Sequence, residues 1–364
     1  MKTNRRNLLK NISRAAASML SALVVAANVN GATTLVPGNS GTVLGFGPGA
    51  TPPPNLAPPP NLAQGVPPVG TGPGHGHLAL ELGSAFVGWL DSVEGGDPVG
   101  QLSSVSGASD TSGNKLGTTK HEEITLTCGT GMDNGFYNWL SETLTPNPTR
   151  TVSRRTGTIL VLDSNSKEIS QLSFTDAFIS EIDFPALDRA SRAPALMKVK
   201  LLPLTSRWTY GKGAGVLHAT PPPAGGLSDN FHVLIEGLDA TRVSKVSALV
   251  IKQTVGSAAF GAPSSGLVIS NLALTIPQAD ASSFQNWFED FVVKGDCGTA
   301  KEKKGSLVFL SSNLREPVFT LNLTHLGISR LGFEKAVTAT GLLPELRAEM
   351  YCGGVGLNVG SSKP

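Results

Sequence analysis

The stretch Gly157–Asn165 reads GTILVLDSN, and Gly305–Asn313, 148 residues further along the chain, reads GSLVFLSSN. Each stretch begins with a glycine, continues through an apolar run and ends on polar residues that favour a turn. A short apolar run bounded by turn residues is typical of a buried β-strand. The same strand and turn therefore occur twice, which indicates an internal repeat.

Further blocks recur at nearly the same spacing. FYNWL at Phe136–Leu140 returns as FQNWF at Phe284–Phe288, again 148 residues later. The other matches are Leu126-Thr127 with Leu274-Thr275 at 148, Ile179-Ser180 and Phe184 with Ile328-Ser329 and Phe333 at 149, and Phe86 with Phe231 at 145. Matched blocks in one order predict two tandem copies of a unit of about 130 residues.

Each copy is predicted to contain six or seven strands and one helix. The helix is indicated by apolar residues at helical spacing, among which Trp139 and Trp287 are expected to anchor the core. Its expected N-caps are Asp133 or Asn134 in the first copy and Ser282 or Ser283 in the second. The predicted fold is mainly β, a β-barrel or sandwich with one flanking helix, duplicated in tandem.

The strands expected from alternating or dense apolar patterns fall at matching places in the two copies. They are Ala85–Leu90, a short strand near Val105, Glu123–Thr127, Thr158–Leu162, Gln171–Phe178 and Ala195–Leu202, then Phe231–Ile235, a short strand near Val246, Leu272–Ile276, Ser306–Leu310, Val318–Leu323 and Leu346–Cys352.

The N-terminal part predicts targeting and spacing segments. The run NRRNLLK at Asn4–Lys10 is similar to a twin-arginine export signal, and the apolar run Ala15–Ala27 is too short to span a bilayer. From Pro37 to Gly76, 21 of 40 residues are Gly or Pro and none is charged, which predicts an extended linker. The predicted domains are an export signal peptide at 1–32, a Pro/Gly-rich linker at 33–77, a β domain at 78–208, a Gly/Pro linker at 209–228, a second β domain at 229–358 and a tail at 359–364.

Composition and charge exclude several classes of protein. The 364 residues are 40% hydrophobic and 15% charged, with 42 Gly and 25 Pro, which disfavours a coiled coil and a wholly disordered chain. The net charge is +2, but five positive charges lie in the first 14 residues, and removing them leaves 2 − 5 = −3. We therefore expect no specific nucleic-acid binding, and the run Lys301–Lys304 is interpreted as a solvated turn.

No motif in the sequence predicts catalysis, a cofactor or a metal site. His75 and His77 lie in a Gly-His stretch, and His121-Glu122-Glu123 lacks the second histidine of a zinc helix. Glu181, Asp183 and Asp188 are interpreted as loop solvation rather than as a Ca²⁺ site. Gly211–Gly215 lacks the Gly-Lys-Ser/Thr of a phosphate-binding loop. The chain is therefore predicted not to be an enzyme.

Three cysteines, Cys128, Cys297 and Cys352, are too few and too irregular for a disulfide framework. Their odd number and the lack of a CxxC motif leave two arrangements open, one disulfide with a spare thiol or three thiols.

The ordered set of elements resembles the contractile phage tail tube protein family, which includes the tubes of contractile injection systems. The resemblance rests on an apolar strand ending at Asp91 or Glu236, on Ser104-Val105-Ser106-Gly107, on the Phe-x-x-Trp helix, on the turn Leu162–Asn165 and on Phe174. It covers about Leu78–Trp208 and, in the second copy, Asp229–Asn358, where Ala248 stands in place of Gly107.

The resemblance implies a structural, self-assembling protein without catalytic activity. Six units would close into a ring, and rings would stack into a hollow tube. Two fused copies would supply two ring positions, so that three chains would form a pseudo-hexamer, with sheath or baseplate-like proteins as partners.

Two other functions stay open. One is an exported cell-surface β-barrel binding module or adhesin on a Pro-rich stalk, and the other is a hydrolase with a dispersed active site. The leader predicts export to the periplasm or cell surface, and without it the protein would be assembled in a virion or a cytoplasmic tail.

Overall fold

The computed structural model describes residues 76–105, 113–145, 152–211, 226–256, 264–334 and 344–360. The predicted signal peptide, most of the first linker, His75 and Ser106-Gly107 lie outside the described residues. So do residues 212–225 of the second predicted linker and residues 361–364 of the predicted tail.

The first half of the described chain contains eleven strands and one helix. They are β1 (His77–Leu82), β2 (Ala85–Leu90), β3 (Ser92–Gly95), β4 (Pro98–Val105), β5 (Gly113–His121), β6 (Ile124–Cys128), α1 (Asn134–Leu144), β7 (Arg154–Leu162), β8 (Glu168–Phe184), β9 (Leu187–Asp188), β10 (Met197–Leu202) and β11 (Thr205–Tyr210).

The second half contains eight strands, one α-helix and three short helical turns. The main elements are β12 (Phe231–Ile235), β13 (Lys245–Val246), β14 (Leu249–Gly256), β15 (Ser264–Ile269), β16 (Leu272–Pro277), α2 (Ser282–Phe288), β17 (Lys303–Leu310), β18 (Pro317–Phe333) and β19 (Glu345–Val359). A π-helical turn, Glu289–Val293, continues α2, and 3₁₀ turns occupy Gln278–Asp280 and Thr299–Lys301.

The strands form two large antiparallel sheets and one hairpin. The first sheet runs β2-β1-β7-β8-β10-β6-β3, with β11 and β14 also paired to β8 and β15 paired to β14. The second sheet runs β12-β17-β18-β19-β16-β13-β9. Strands β4 and β5 form a separate two-stranded sheet. The predicted mainly β fold with flanking helices is confirmed.

The two sheets share their strand order and pairing register over six positions, β1-β7-β8-β10-β6-β3 in the first and β12-β17-β18-β19-β16-β13 in the second. Val161 lies opposite Ser170 in the first sheet, and Phe309 opposite Phe319 in the second, at offsets of 309 − 161 = 148 and 319 − 170 = 149. The residues with left-handed backbones recur as well, with Asp176 at φ 49° and His325 at φ 55°, again 149 apart. Even irregularities of the ladder therefore occupy matching places.

The first strand of each sheet corrects one alignment made from the sequence. Phe231 of β12 pairs with Phe309, and Leu78 of β1 pairs with Val161, the residue 148 positions before Phe309. Phe231 therefore corresponds to Leu78, 153 residues away, and not to Phe86. The sequence reasoning missed β1 because HLALEL at His77–Leu82 directly follows the Gly-rich linker.

The helices lie where the sequence predicts them, but only one has the expected cap. The carboxylate of Asp133 accepts a hydrogen bond from the backbone N–H of Gly135, which confirms Asp133 as the N-cap of α1. The predicted caps of α2 are wrong, because Ala281 precedes that helix and Ser282 is its first residue. The Ser283 hydroxyl instead accepts from the backbone N–H of Asp239.

Buried apolar side chains from both halves form one continuous core. Trp139 and Trp287 are both buried in it, as the sequence predicts. Among the described residues, no helix has the length and apolar character needed to cross a bilayer.

Candidate assembly interface

Strands of one half complete the sheet of the other half. Strand β14 of the second half pairs antiparallel with β8 of the first, with Leu249 opposite Phe184 and Lys252 opposite Glu181. Strand β9 of the first half pairs with β13 of the second, with Leu187 opposite Val246. We call the surface formed by β8, β9, β13, β14 and α1 the internal joint. Each contact is a β-augmentation, in which main-chain hydrogen bonds add a strand of one half to the sheet of the other half.

Aromatic side chains fill the internal joint. Phe184, at the end of β8, lies 6.4 Å from the ring centroid of Phe309 and 5.9 Å from that of Phe319. Those two rings stack on each other at 4.3 Å, and Tyr137 of α1 lies 5.1 Å from Phe319. Because large aromatic surfaces dominate the energetics of cores and interfaces, this cluster stabilises the contact between the halves.

Helix α1 is held between the two halves. Its buried residues lie on one broad face of the helix, and it packs against β19 of the second half. The Ser141 hydroxyl donates to the backbone carbonyl of Leu357 at 2.9 Å. The Tyr137 hydroxyl donates to the carbonyl of Thr130 at 2.7 Å, and the Thr130 hydroxyl accepts from the N–H of Gly226 at 2.6 Å. The end of the predicted second linker is thereby tied to the first half.

Charged groups also bridge the halves. The Glu181 carboxylate lies 3.2 Å from Lys200 on its own sheet and 3.1 Å from Lys252 on β14. Burial raises the pKa of this carboxyl, but the hydrogen bonds and charges of Lys252 and Lys200 outweigh burial and hold the pKa below its ordinary value. Arg189 donates from Nε to the carbonyl of Val243 at 2.7 Å, and its guanidinium lies 4.8 Å from the ring of Phe231.

The matching surfaces at the far end of the second half are uncovered. Phe333 corresponds to Phe184 at an offset of 149, yet Phe333 is 63% exposed and Phe184 is fully buried. Strand β17 pairs with β18 only as far as Leu326, and within the part of the chain that the structure describes no other strand pairs with that side of β18. We call Gly327–Phe333 on this side the free edge of β18.

Helix α2 and the π-helical turn that continues it show the same contrast with α1. Leu144 is fully buried, whereas Val292, 148 residues later, is 40% exposed. Tyr137 is buried in the internal joint, whereas Gln285 in the corresponding position is exposed. The side of α2 that corresponds to the joint-facing side of α1 is therefore exposed among the described residues.

The hairpin β4–β5 is a second uncovered surface. Within the described ranges these two strands pair only with each other, and the hairpin exposes Val99, Leu102 and Leu116. Its base is fixed to the first sheet, because His121 Nδ1 accepts from the backbone N–H of Ser206 at 3.0 Å. Exposed apolar side chains on a strand pair are typical of a surface that another chain covers.

Two ion pairs lie at corresponding places in the two sheets. Arg154 pairs with Asp176 at 3.3 Å, and Glu302 pairs with His325 Nδ1 at 2.7 Å, in corresponding positions with the charge order reversed. Each pair holds a residue with a left-handed backbone at a bulge of the ladder. The hydrogen bond of His325 lowers the pKa of Glu302. These pairs stabilise the same kink in each sheet.

Tyr351 adds a third group to the second of these pairs. Its hydroxyl donates to the Glu302 carboxylate at 2.8 Å. Burial, followed by the neighbouring Glu302 carboxylate, raises the pKa of the Tyr351 phenol to about 12, so the phenol stays protonated and remains a donor near neutral pH.

The structure disperses the other residues that the sequence singled out. Within the described ranges no three His, Cys, Asp or Glu side chains are grouped to hold a metal ion. The interpretation of Glu181, Asp183 and Asp188 as loop residues is wrong, because the first two lie in β8 and the third ends β9. Asp188 accepts from the N–H of Ala190, and Glu181 is paired to lysines. Lys301 pairs with Asp296 at 2.9 Å, and Lys303 lies 5.5 Å from the ring of Trp287.

All three cysteines are free thiols. Cys128 and Cys352 are buried, and burial raises the pKa of Cys128 to about 12 and raises that of Cys352 as well. Cys297 is exposed. Because Cys297 is the exposed thiol of the three, it is the most accessible to oxidation.

Residues 100–202 match the family model described as T4-like virus tail tube protein gp19. The resemblance to the tail tube family is thereby confirmed for this segment of the first half. The match supports a structural, tube-forming role for the segment. No curated protein matches the chain.

Several solved structures are similar to part of the chain. A chain of the PVC extracellular contractile injection system, in a sheath-tube complex in the extended state, is 18% identical with a TM-score of 0.32, covering 36% of this chain and 88% of that chain. A chain of the anti-feeding prophage tube terminating cap is 18% identical with a TM-score of 0.33, covering 40% and 92%. Hcp1 from Flavobacterium johnsoniae is 14% identical with a TM-score of 0.26, covering 37% and 96%.

Proposed function

We propose that this protein is a structural subunit of a tail-tube-like assembly, in which residues 78–208 and 229–358 act as two copies of one ring-forming unit. The observation that carries the proposal is the internal joint, in which strands β8 and β14 join one half to the other. If the two halves are copies of one unit, the same strand pairing can join one chain to the next and so produce a polymer.

The recurrence of the pairing register supports the duplication. The pairs Gly157–Phe174 and Gly305–Leu323 correspond at offsets of 148 and 149. The pairs on the opposite side of β8 and β18 follow the same offset, since Thr205 pairs with Thr175 and Gly354 with Thr324, each 149 residues apart. Two unrelated sheets have no physical reason to share both strand order and register.

The uncovered surfaces support further assembly. The described residues contain one complete joint, a free edge at β18 and a hairpin, β4–β5, that pairs with no other described strand. A contact that joins unlike surfaces of identical chains is heterologous, and repeating it produces a closed ring or an open filament. If six units close, three chains form the pseudo-hexameric ring, and stacked rings form a hollow tube.

Partners and location follow from the same proposal. The outer surface of such a tube would contact sheath or baseplate-like proteins, and the assembly would be part of a virion or of an extracellular injection device. Residues 1–32 would direct export, and residues 33–77 would act as a spacer. We propose no catalytic activity and no specific nucleic-acid binding, and the match of residues 100–202 to a tail tube family model supports this structural role.

The test is electron microscopy of the purified chain without residues 1–27. Rings or tubes in negative stain, together with a sedimentation mass of a multiple of the chain, are the expected result. Stable monomers at high concentration would contradict tube formation and favour a cell-surface binding module.

A further inference from the structure

We infer that the partner of the free edge of β18 is strand β4 of a second copy of this chain, paired in the register that β14 and β8 adopt in the internal joint. This inference rests on the proposed function, and it adds the residues that meet. The internal joint is the template, because the same chain shows the completed contact.

The two hairpins correspond residue by residue. Ile251 pairs with Ile269 in β14–β15, and Pro98 pairs with His121 in β4–β5, at offsets of 153 on the first strand and 148 on the second. The hydrogen bond from the N–H of Ser270 to the carbonyl of Val250 has a counterpart at the same offsets, from the N–H of Glu122 to the carbonyl of Asp97. Strand β4 therefore takes the place of β14, and Val99 takes the place of Lys252.

The two receiving edges also correspond. Glu181, Ile182 and Asp183 of β8 face Lys252, Ile251 and Val250. The residues of β18 at an offset of 149 are Arg330, Leu331 and Gly332. Just before this segment, β8 shifts register against β10, and β18 shifts register against β19. The contact between copies therefore places Val99 opposite Arg330, Pro98 opposite Leu331 and Asp97 opposite Gly332.

Side chains on the two edges suit this register. Val99 is 43% exposed, and docking would remove its apolar surface from water. Arg330 is diagonal to Asp97 across the paired strands, and residues in that relation lie within reach of a long side chain. Phe333 would be covered by the first half of the next chain, as Phe184 is covered by the second half here.

Pro98 makes the contact between copies weaker than the internal joint. Both the N–H and the carbonyl of Val250 bond to Ser270, so those of Ile251, the next residue, point toward β8. Pro98 presents its backbone to the new partner in the same way but has no N–H. One ladder bond is therefore lost at each contact.

The test is a disulfide between copies in a Cys297→Ser background, which removes the exposed thiol. Val99→Cys and Arg330→Cys are combined in one chain. Because Val99 directs its N–H and carbonyl into the hairpin, the two positions form a non-hydrogen-bonded pair with Cα atoms about 4.5 Å apart, within disulfide range. Oxidation is expected to convert the single-chain band on a non-reducing gel into covalent multimers that end at three chains.

The matched control is Lys120→Cys with Arg330→Cys in the same background. Lys120 pairs with Val99 across the hairpin and so lies one strand further from β18. Two strand spacings amount to about 9.5 Å, which exceeds disulfide range. This control is expected to stay as single chains.

Four outcomes decide the inference. Multimers from the Val99/Arg330 variant alone support it. Rings in negative stain with equal crosslinking of variant and control overturn this register and leave the proposed function standing. Neither rings nor crosslinks overturn both. Crosslinked chains without rings or tubes support the register and overturn the closed tube.

Discussion

Phe184 and Phe333 occupy the same position in two matching strands, yet one is fully buried and the other is 63% exposed. Phe184 contacts Phe309 and Phe319 of the second half. Phe333 is the last residue of β18 and has no such cover among the described residues. The difference arises from what covers each strand end and not from the strands themselves. The end of β8 therefore shows the covered form of a contact surface, and the end of β18 shows the same surface uncovered.

The largest expected difference comes from truncating these two phenylalanines. Phe184→Ala should lower the free energy of unfolding by about 3–5 kcal/mol, because it removes a buried ring from the aromatic cluster of the joint. Phe333→Ala should change it by less than about 0.5 kcal/mol in the single chain. Urea unfolding of both variants measures the contrast. Equal losses would contradict the assignment of Phe184 to a joint that Phe333 lacks.

A smaller contrast is expected between the helices. Tyr137→Phe should cost about 1–3 kcal/mol of unfolding free energy, because the buried carbonyl of Thr130 loses its donor. Gln285→Ala, at the corresponding exposed position of α2, should be within about 0.5 kcal/mol of the unchanged protein. Thermal unfolding of the two variants side by side provides the measurement, and a neutral Tyr137→Phe would show that the hydrogen bond to Thr130 contributes nothing to the packing of α1.

Pro98→Ile should strengthen self-association, because it restores the backbone donor that β14 has and β4 lacks. One net hydrogen bond of about 0.5–1.5 kcal/mol corresponds to a gain of about two- to tenfold in association. Sedimentation velocity over a concentration series measures the gain. Val99→Ile adds apolar surface without adding a donor, and it serves as the control. An unchanged association constant for Pro98→Ile would contradict pairing through the outer edge of β4.

The smallest expected effect is a pH dependence at Glu181. Its pKa is lower in the folded chain than its ordinary value of 4.5, so its contribution is fully present above about pH 4.5 and is lost as the pH falls through the folded pKa. Solvent screening limits the effect to less than about 1 kcal/mol. Urea midpoints from pH 7 to pH 3 should fall less steeply for Glu181→Gln than for the unchanged protein. Glu94→Gln, on exposed β3, should match the unchanged protein.

The sequence predicted the elements that depend on local pattern. The Phe-x-x-Trp spacing located α1 and α2, and the apolar runs located β7 and β17, because a buried helix face or strand imposes its own period on the chain. The cap of α2 was predicted wrongly, since Ser and Thr also favour sites just inside a helix and here Ala281 precedes it. Strand β1 was missed next to a Gly-rich segment.

The candidate interface was beyond reach of such reasoning for a physical reason. Periodicity shows that a residue is apolar and on one face, but it carries no information on which strand pairs with an edge. The segments ISEIDF at Ile179–Phe184 and ISRLGF at Ile328–Phe333 share Ile, Ser and Phe at matching positions. In the described chain β14, Phe309 and Phe319 cover the first segment, whereas Phe333 of the second is exposed.

The sequence by itself determined the mainly β class, the two helices, the offset of about 148 residues between matching blocks and the resemblance to tail tube proteins, because each of these is written in the order and spacing of residues. Only the tertiary structure decided that β14 crosses to the first sheet, that Phe184 is covered and that β18 and β4–β5 keep open edges. Edge pairing is a long-range choice between backbone groups that are chemically identical in every residue except proline, so side-chain pattern alone does not specify it.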